Sequence, residues 1–249
     1  MFLIGDQGEW ITISWIKIFE HSQERGIKMD KLIFSHVYKS FRNRIILEDV
    51  CIELKRGMIY GFIGPNGSGK TVILKMAAGL LRPTKGNIYL DSRTLGKDID
   101  FPPSMGILIE NPGFLAHYSG LQNLLYLTKI KGLIGRSEVE AAMEKAGILD
   151  AASQKTGQYS LGMKQRLGIA QVIMEDPELM ILDEPMNGLD QKGIAEIRAL
   201  LLEQKRQGKM ILLASHTRED ITYLCDQIYF IQDRKVQSIP KVSPITAPH

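Results

Sequence analysis

A chain of 249 residues is long enough to bury one full core with room for an inserted subdomain. Charged residues make up 24% and the net charge is only +3, so no bulk electrostatic argument for nucleic acid survives and no nucleic-acid partner is expected. The two cysteines, Cys51 and Cys225, show no metal-ligand spacing and read as ordinary, partly buried thiols of a reducing compartment, and no apolar run approaches the ~18 residues of a membrane span.

Residues 1–28 read as an N-terminal extension unlike the rest. The run Trp10–Phe19 holds both tryptophans, is too short to span a bilayer, and lacks the basic start and small-residue cleavage site of a signal peptide. Three readings stand side by side: it lies on a membrane surface, it packs on a partner, or it precedes the true start of the protein at Met29. From Lys31, short strands lead to the apolar run Ile59–Ile63 and then to Gly64-Pro65-Asn66-Gly67-Ser68-Gly69-Lys70-Thr71. This fits the phosphate-loop pattern without a mismatch, between a strand-like run and a helix-like run from Val72. Chance would place its four fixed positions in roughly one chain of this length per hundred. Glycines let successive N–H groups curl around phosphate oxygens, and the following helix adds its positive end. Lys70 can reach β- and γ-phosphates and the Thr71 hydroxyl can ligate Mg²⁺. The pattern predicts nucleoside triphosphate binding.

The first helix is expected to run through Met76–Ala78 and end near Gly79. Pro83-Thr84-Lys85-Gly86 reads as a turn into a strand over Asn87–Leu90. A helical middle follows from about Leu121 to Gln171, with Ser137-Glu138-Val139-Glu140 as a capping box and Val139, Ala142, Met143 and Ala146 on one face. Next come an apolar strand over Leu179–Leu182, a helix over roughly Lys192–Gln207, a second apolar strand over Met210–Ala214, and a closing hairpin from Ile228 to Val236. Strands apolar throughout, alternating with helices, argue for a mainly parallel sheet covered on both faces. Asp183-Glu184 ends the first of these strands, where an α/β sheet binds its ligand. Asp183 is placed to hold Mg²⁺ opposite Thr71, and Glu184 to orient or deprotonate an attacking water.

Between phosphate loop and acidic pair lies Tyr159-Ser160-Leu161-Gly162-Met163-Lys164-Gln165-Arg166-Leu167. It resembles the L-S-G-G-Q-x-Q-R signature of ATP-binding cassette (ABC) ATPases, with Ser160, Gly162, Gln165 and Arg166 in register. Phosphate loop, signature, Asp183-Glu184 and Ser215-His216 follow the family's order, and the resemblance spans roughly Lys31 to Val236. Leu161 and Met163 depart from the signature's usual glycine and glutamine. The family's glutamine at the start of the helical insertion is replaced by Glu110, which, with the Ser-Leu-Gly-Met-Lys-Gln-Arg-Leu run, looks like the exporter cassettes of bacitracin-resistance and lantibiotic-immunity type.

The resemblance implies an α/β P-loop NTPase with a mainly parallel sheet, an N-terminal antiparallel β subdomain and an inserted helical subdomain. The cassette would span residues 29–239, with the insertion at about 110–171 and a tail over 240–249. It implies an ATP-binding and hydrolysing transporter subunit, peripheral on the cytoplasmic face of the cell membrane, that dimerises on ATP and drives separate transmembrane subunits. The alternative is a soluble, non-transport cassette ATPase. Catalysis would fall to Glu184 and His216. Mg²⁺ would sit on Thr71, Asp183 and Glu110. ATP would meet Gly64, Pro65, Asn66, Gly67, Ser68, Gly69, Lys70 and Thr71 of one chain and Ser160, Gly162 and Asp190 of its partner. Phe41 would stack on adenine, with Tyr38 as the rival.

Overall fold

The computed structural model describes residues 2–4, 10–12, 28–42, 44–110 and 113–240. Its centre is a six-stranded sheet built from β5 (Ile59–Ile63), β8 (Met105–Leu108), β9 (Leu179–Asp183), β10 (Met210–Ala214), β11 (Gln227–Gln232) and β12 (Lys235–Ile239). Spatial order is β12-β11-β5-β10-β9-β8, and every neighbouring pair is parallel except the closing hairpin β11–β12. The central strands are apolar throughout because both faces are covered. Met180 and Leu182 of β9, with Ile211 and Leu213 of β10, enter one core, while Leu179, Ile181, Met210 and Leu212 enter the other. That split is the two-residue period of a strand.

The second core lies beneath a four-stranded antiparallel sheet of order β4-β3-β6-β7. Its strands are β3 (Lys31–Phe41), β4 (Arg44–Lys55), β6 (Lys85–Leu90) and β7 (Arg93–Thr94). Helix α1 (Lys70–Ala77) shares that core. The antiparallel sheet is therefore not purely N-terminal, since β6 and β7 return to it after the phosphate loop. Ser35-His36 opposite Cys51 is a bulge, the first of two register breaks between β3 and β4 before Lys39.

The first core is closed by the chain between β8 and β9, with α2 (Gly120–Lys131), α3 (Arg136–Lys145) and α4 (Leu161–Ile173). Val139, Ala142, Met143 and Ala146 are all buried there. The helix α3 starts earlier than the sequence suggests. Glu138 accepts the Gly135 N–H at 3.0 Å, so Gly135 is the cap, while Ser137 sits inside the helix and donates to Glu138 at 2.9 Å. The remaining helices are α5 (Gln191–Arg206) and α6 (Arg218–Leu224). The short helix α6 was not foreseen.

The cysteines also differ from expectation: Cys51 is exposed and Cys225 fully buried. Near the N-terminus, β1 (Phe2–Ile4) pairs antiparallel with β2 (Trp10–Thr12). The rest of the extension before Lys28, and the tail after Pro240, lie outside the described residues. Among the described residues no helix is long and apolar enough to cross a membrane.

Candidate active site

The phosphate loop joins the C-terminal end of β5 to α1, and three glycines shape it. Gly64, Gly67 and Gly69 have φ of 155°, 76° and 111°, values that side chains rarely tolerate. At Gly64 space forbids one as well, because a Cβ would stand 2.3 Å from the Ile231 carbonyl oxygen. Lys70 opens α1 and folds back, donating to the Gly64 carbonyl at 2.7 Å and the Pro65 carbonyl at 3.2 Å. The loop thus borrows its own carbonyls as stand-ins for phosphate oxygens. The Ser68 hydroxyl is buried and has no hydrogen-bond partner, an unmet polar group that a ligand at the loop would satisfy.

Strand β9 delivers the acidic pair to the same place. Thr71 Oγ1 donates to Asp183 Oδ2 at 2.6 Å, joining residues 112 positions apart. Burial pushes the Asp183 carboxyl up; the Thr71 hydrogen bond opposes this, Glu184 and Glu110 add to it by repulsion, and Lys70 pulls it down. Two oxygen donors already side by side suit a hard divalent cation. Glu184 has a left-handed φ of 51° and hangs its N–H on the Ala214 carbonyl at 2.9 Å. Its carboxylate oxygen lies 2.8 Å from His216 Nδ1. From α4, Gln165 Nε2 donates to the Glu184 carbonyl at 2.9 Å. Sequence reasoning quoted Gln165 only as part of a motif; its aim at the backbone of Glu184 needed the fold.

Most of these groups line one open cavity of about 670 Å³, although Gly64, Pro65, Ser68 and His216 are not on its wall. Asn66, Gly67, Gly69, Lys70, Thr71, Asp183, Glu184 and Glu110 are all on its wall, with Gln165 and Asn187. Arg44, Ile46 and Val72 line it too, and none of these was anticipated. Phe41 does not line the cavity, and neither does Tyr38. Phe41 is paired with Arg44 across the β3–β4 ladder and carries the Lys39 ammonium 4.6 Å from its ring centre. Glu110, at the end of β8, has a left-handed φ of 61° and is paired with Lys75 of α1 at 2.6 Å.

Ser160, Gly162 and Asp190 do not line the cavity. Ser160 caps α4 by accepting the Met163 N–H at 3.2 Å, and Asp190 caps α5 by accepting the Gly193 N–H at 2.8 Å. The two caps are packed together. A Cβ on Gly162 would lie 2.6 Å from the Gly188 carbonyl, and one on Gly188 would lie 2.6 Å from Leu161 Cγ. Arg166 braces this corner, donating to the Ala146 carbonyl at 2.9 Å and to Glu196 at 2.7 Å.

The sequence profile of the family described as ABC transporter matches residues 47–187. The chain belongs to the ABC transporter family. Among similar proteins, the uncharacterised ABC transporter ATP-binding protein YybJ of Bacillus subtilis is 39% identical over 204 residues, covering 82% of this chain and 94% of its own length. The lantibiotic transport ATP-binding protein SrtF of Streptococcus pyogenes is 36% identical, over 82% of this chain and 88% of SrtF. The bacitracin transport ATP-binding protein BcrA of Enterococcus faecalis is 40% identical, over 76% of this chain and 62% of BcrA. The fold is shared with the dimeric ATP-binding cassette MJ0796 bound to ADP and Pi, at a TM-score of 0.76 and 21% identity over 85% of this chain and 99% of that one. This cassette is an ATPase and the ATP-binding subunit of a transporter.

Proposed function

We propose that this cassette hydrolyses Mg-ATP at composite sites, closed head to tail between two cassettes, and thereby powers an exporter on the cytoplasmic face of the cell membrane. One observation carries the composite reading. Thr71, Asp183 and Glu184 share a cavity with the phosphate loop, whereas the capped corner of Ser160, Gly162 and Asp190 does not line it. A second chain, turned to face the first, would bring that corner to the missing side.

Mg²⁺ would supply positive charge that offsets the charge of the phosphates. Thr71 and Asp183 are the residues that would hold it, with Glu110 as a further carboxylate on the cavity wall. Lys70 exchanges the Gly64 and Pro65 carbonyls for β- and γ-phosphate oxygens. Glu184 accepts a proton from the attacking water, and the His216 imidazole fixes the direction of that carboxylate. From the partner, the Ser160 hydroxyl and the N–H groups opening α4 face the γ-phosphate. Whichever of Phe41, Tyr38, Arg44 or Ile46 meets the base, it does so from the β3–β4 end of the cavity.

The exported class rests on the relatives named for bacitracin and lantibiotic transport, which points to antibiotic peptides handled by separate membrane-spanning subunits. The segment after Glu110 supplies a docking surface for such a subunit. Its apolar residues divide in two. Leu124 is fully buried and Phe114, Leu121 and Leu125 pack partly against the core, whereas Leu115 and Tyr118 are 49% and 48% exposed. Buried Asn123 holds this loop in shape, accepting the Leu115 N–H at 2.7 Å and donating to the Ser119 carbonyl at 2.9 Å. Tyr118→Asp is expected to abolish association with the membrane subunit in a co-purification while leaving nucleotide affinity unchanged; equal loss of both would make the residue structural.

Glu184→Gln tests the mechanism. It keeps the shape of the side chain but removes the proton acceptor, so ATP turnover should fall by about 10²- to 10⁴-fold. Binding should survive, and Mg-ATP should trap a dimer on size-exclusion chromatography. A Glu184→Gln protein that stays monomeric and turns over normally would sink the assignment.

A further inference from the structure

Among the described residues, one group of three possible metal ligands stands apart from the nucleotide cavity. His36, Asp49 and Cys51 each bring one ligand atom to within 4.8 Å of the others, and all three are exposed. The strand ladder explains the convergence. Phe34 pairs with Ile52 and Val37 with Val50, so Ser35 and His36 together oppose Cys51. Val37 pairs with Val50 and Lys39 with Leu47, so Tyr38 alone opposes Glu48 and Asp49. Each bulge holds one residue in a left-handed conformation, His36 at φ 48° and Asp49 at φ 49°. The two residue types are among those that tolerate it. The outcome is a compact triangle: His36 Nδ1 to Asp49 Oδ1 is 2.8 Å, His36 Nδ1 to Cys51 Sγ is 3.5 Å, and Cys51 Sγ to Asp49 Oδ1 is 3.9 Å.

Those edges can be compared with a tetrahedral zinc. Bonds of about 2.05 Å to nitrogen and oxygen and about 2.3 Å to sulfur give edges of roughly 3.3 Å for N–O and roughly 3.6 Å for S–N and S–O. Every observed edge lies within about half an ångström of its counterpart. The donor set is imidazole, carboxylate and thiolate, which suits zinc rather than magnesium or calcium. Cys51 Sγ also accepts the His36 N–H at 3.4 Å, a bond that remains when the sulfur is deprotonated.

We propose that His36 Nδ1, Asp49 Oδ1 and Cys51 Sγ form a site for a zinc-class divalent cation, with the fourth position open to water. Binding releases the Cys51 thiol proton to solvent, and coordination replaces the His36–Asp49 hydrogen bond. The ion would tie the two bulges together. It would thereby stiffen the strand pair that ends at Phe41 and begins again at Arg44, beside the nucleotide cavity.

Cobalt(II) titrated into the reduced, full-length protein tests this, because a thiolate–cobalt bond gives a near-ultraviolet charge-transfer band that the oxygen donors of the nucleotide site do not. With only two cysteines in the chain, the band has two possible origins, and Cys225 is buried. One equivalent of cobalt should raise the band and zinc should bleach it. Cys51→Ser should abolish it, and Cys225→Ala should keep it. His36→Asn and Asp49→Asn, which preserve tolerance of the left-handed backbone, should each weaken binding by more than about tenfold. ATP binding by every variant reports that it is folded. A wild-type protein without the band, a band that survives Cys51→Ser, or unchanged affinity in both asparagine variants overturns the proposal.

Discussion

The two halves of the nucleotide machinery are built differently. The phosphate-loop half is concave and internally paired: Lys70 holds the loop's own carbonyls and Thr71 holds Asp183. The signature half lies off the cavity and is capped, with Ser160 and Asp190 spent on their own helices and Leu161 49% exposed. A concave site whose lysine and acid are held, with the Ser68 hydroxyl left unmet, can wait for a ligand. On the proposed composite mechanism, the signature corner acts on the nucleotide of a second chain rather than on that of its own, and the need for a partner lies in geometry rather than in affinity.

The sharpest way to break that contrast is to mix variants. Lys70→Ala removes charge-assisted hydrogen bonds to phosphate, each worth about 1.5–3 kcal/mol, so ATP affinity should fall by at least roughly tenfold. Ser160→Arg spoils the signature corner without touching the cavity. Each variant alone should lose most ATPase activity. A mixture, however, contains heterodimers in which one site has an intact loop and an intact signature. Steady-state ATPase of the mixture should exceed that of either variant. If mixing restores nothing, both half-sites work on the nucleotide of their own chain and the comparison fails.

How much of this was legible follows from where the information sits. The phosphate loop and the strands β9 and β10 could be read directly, because a contiguous run carries both the apolar signal and the turn chemistry. The acidic pair was legible because Asp183 ends such a run. The pairs that join distant segments were not. Lys75 and Glu110 are 35 positions apart, and nothing in either local sequence announces the other. Gln165 reaches Glu184 only once the fold brings α4 near the end of β9. The β3–β4 bulges were hidden for a related reason: a two-residue period shows alternation but not the insertion that breaks it. At Ser137, a serine three positions before a glutamate looked like a cap, yet the Glu138 carboxylate reached Gly135 first.

The Lys75–Glu110 pair sharpens the comparison at a smaller scale, since it ties up a carboxylate on the cavity wall, whereas the Arg166–Glu196 pair braces the signature corner away from the cavity. The Lys75 ammonium is paired with a carboxylate on the cavity wall. Any cation using Glu110 must compete with it. Lys75→Met should therefore lower the Mg²⁺ concentration that half-saturates ATPase by severalfold, and Glu110→Gln in the same background should erase that gain. Mg²⁺ titrations at fixed ATP read both. An unchanged midpoint in Lys75→Met would leave Glu110 with no part in holding the metal.

The smallest effect concerns what the concave half costs when it is empty. Burial raises the Asp183 carboxyl, with Glu184 and Glu110 pushing the same way. A carboxyl raised in the folded state favours the folded protein while protonated and loses that advantage as pH climbs through its titration. When ionised, Asp183 sits in a place that disfavours its charge. Asp183→Asn removes the charge, and the amide oxygen can still accept from Thr71. Measured in EDTA without nucleotide at pH 7, this variant should melt slightly above the wild type. The difference should shrink as pH falls through the raised pKa, where the wild-type carboxyl becomes neutral too. The same variant should bind ATP less tightly when Mg²⁺ is added, because an amide offers the cation less than a carboxylate. Higher stability with poorer metal-dependent binding is the signature of a group kept for function against the preference of the fold. A variant that melts lower in EDTA would show instead that Asp183 anchors Thr71 and the loop, and that the concave half is held together by the very charge that the nucleotide's metal would use.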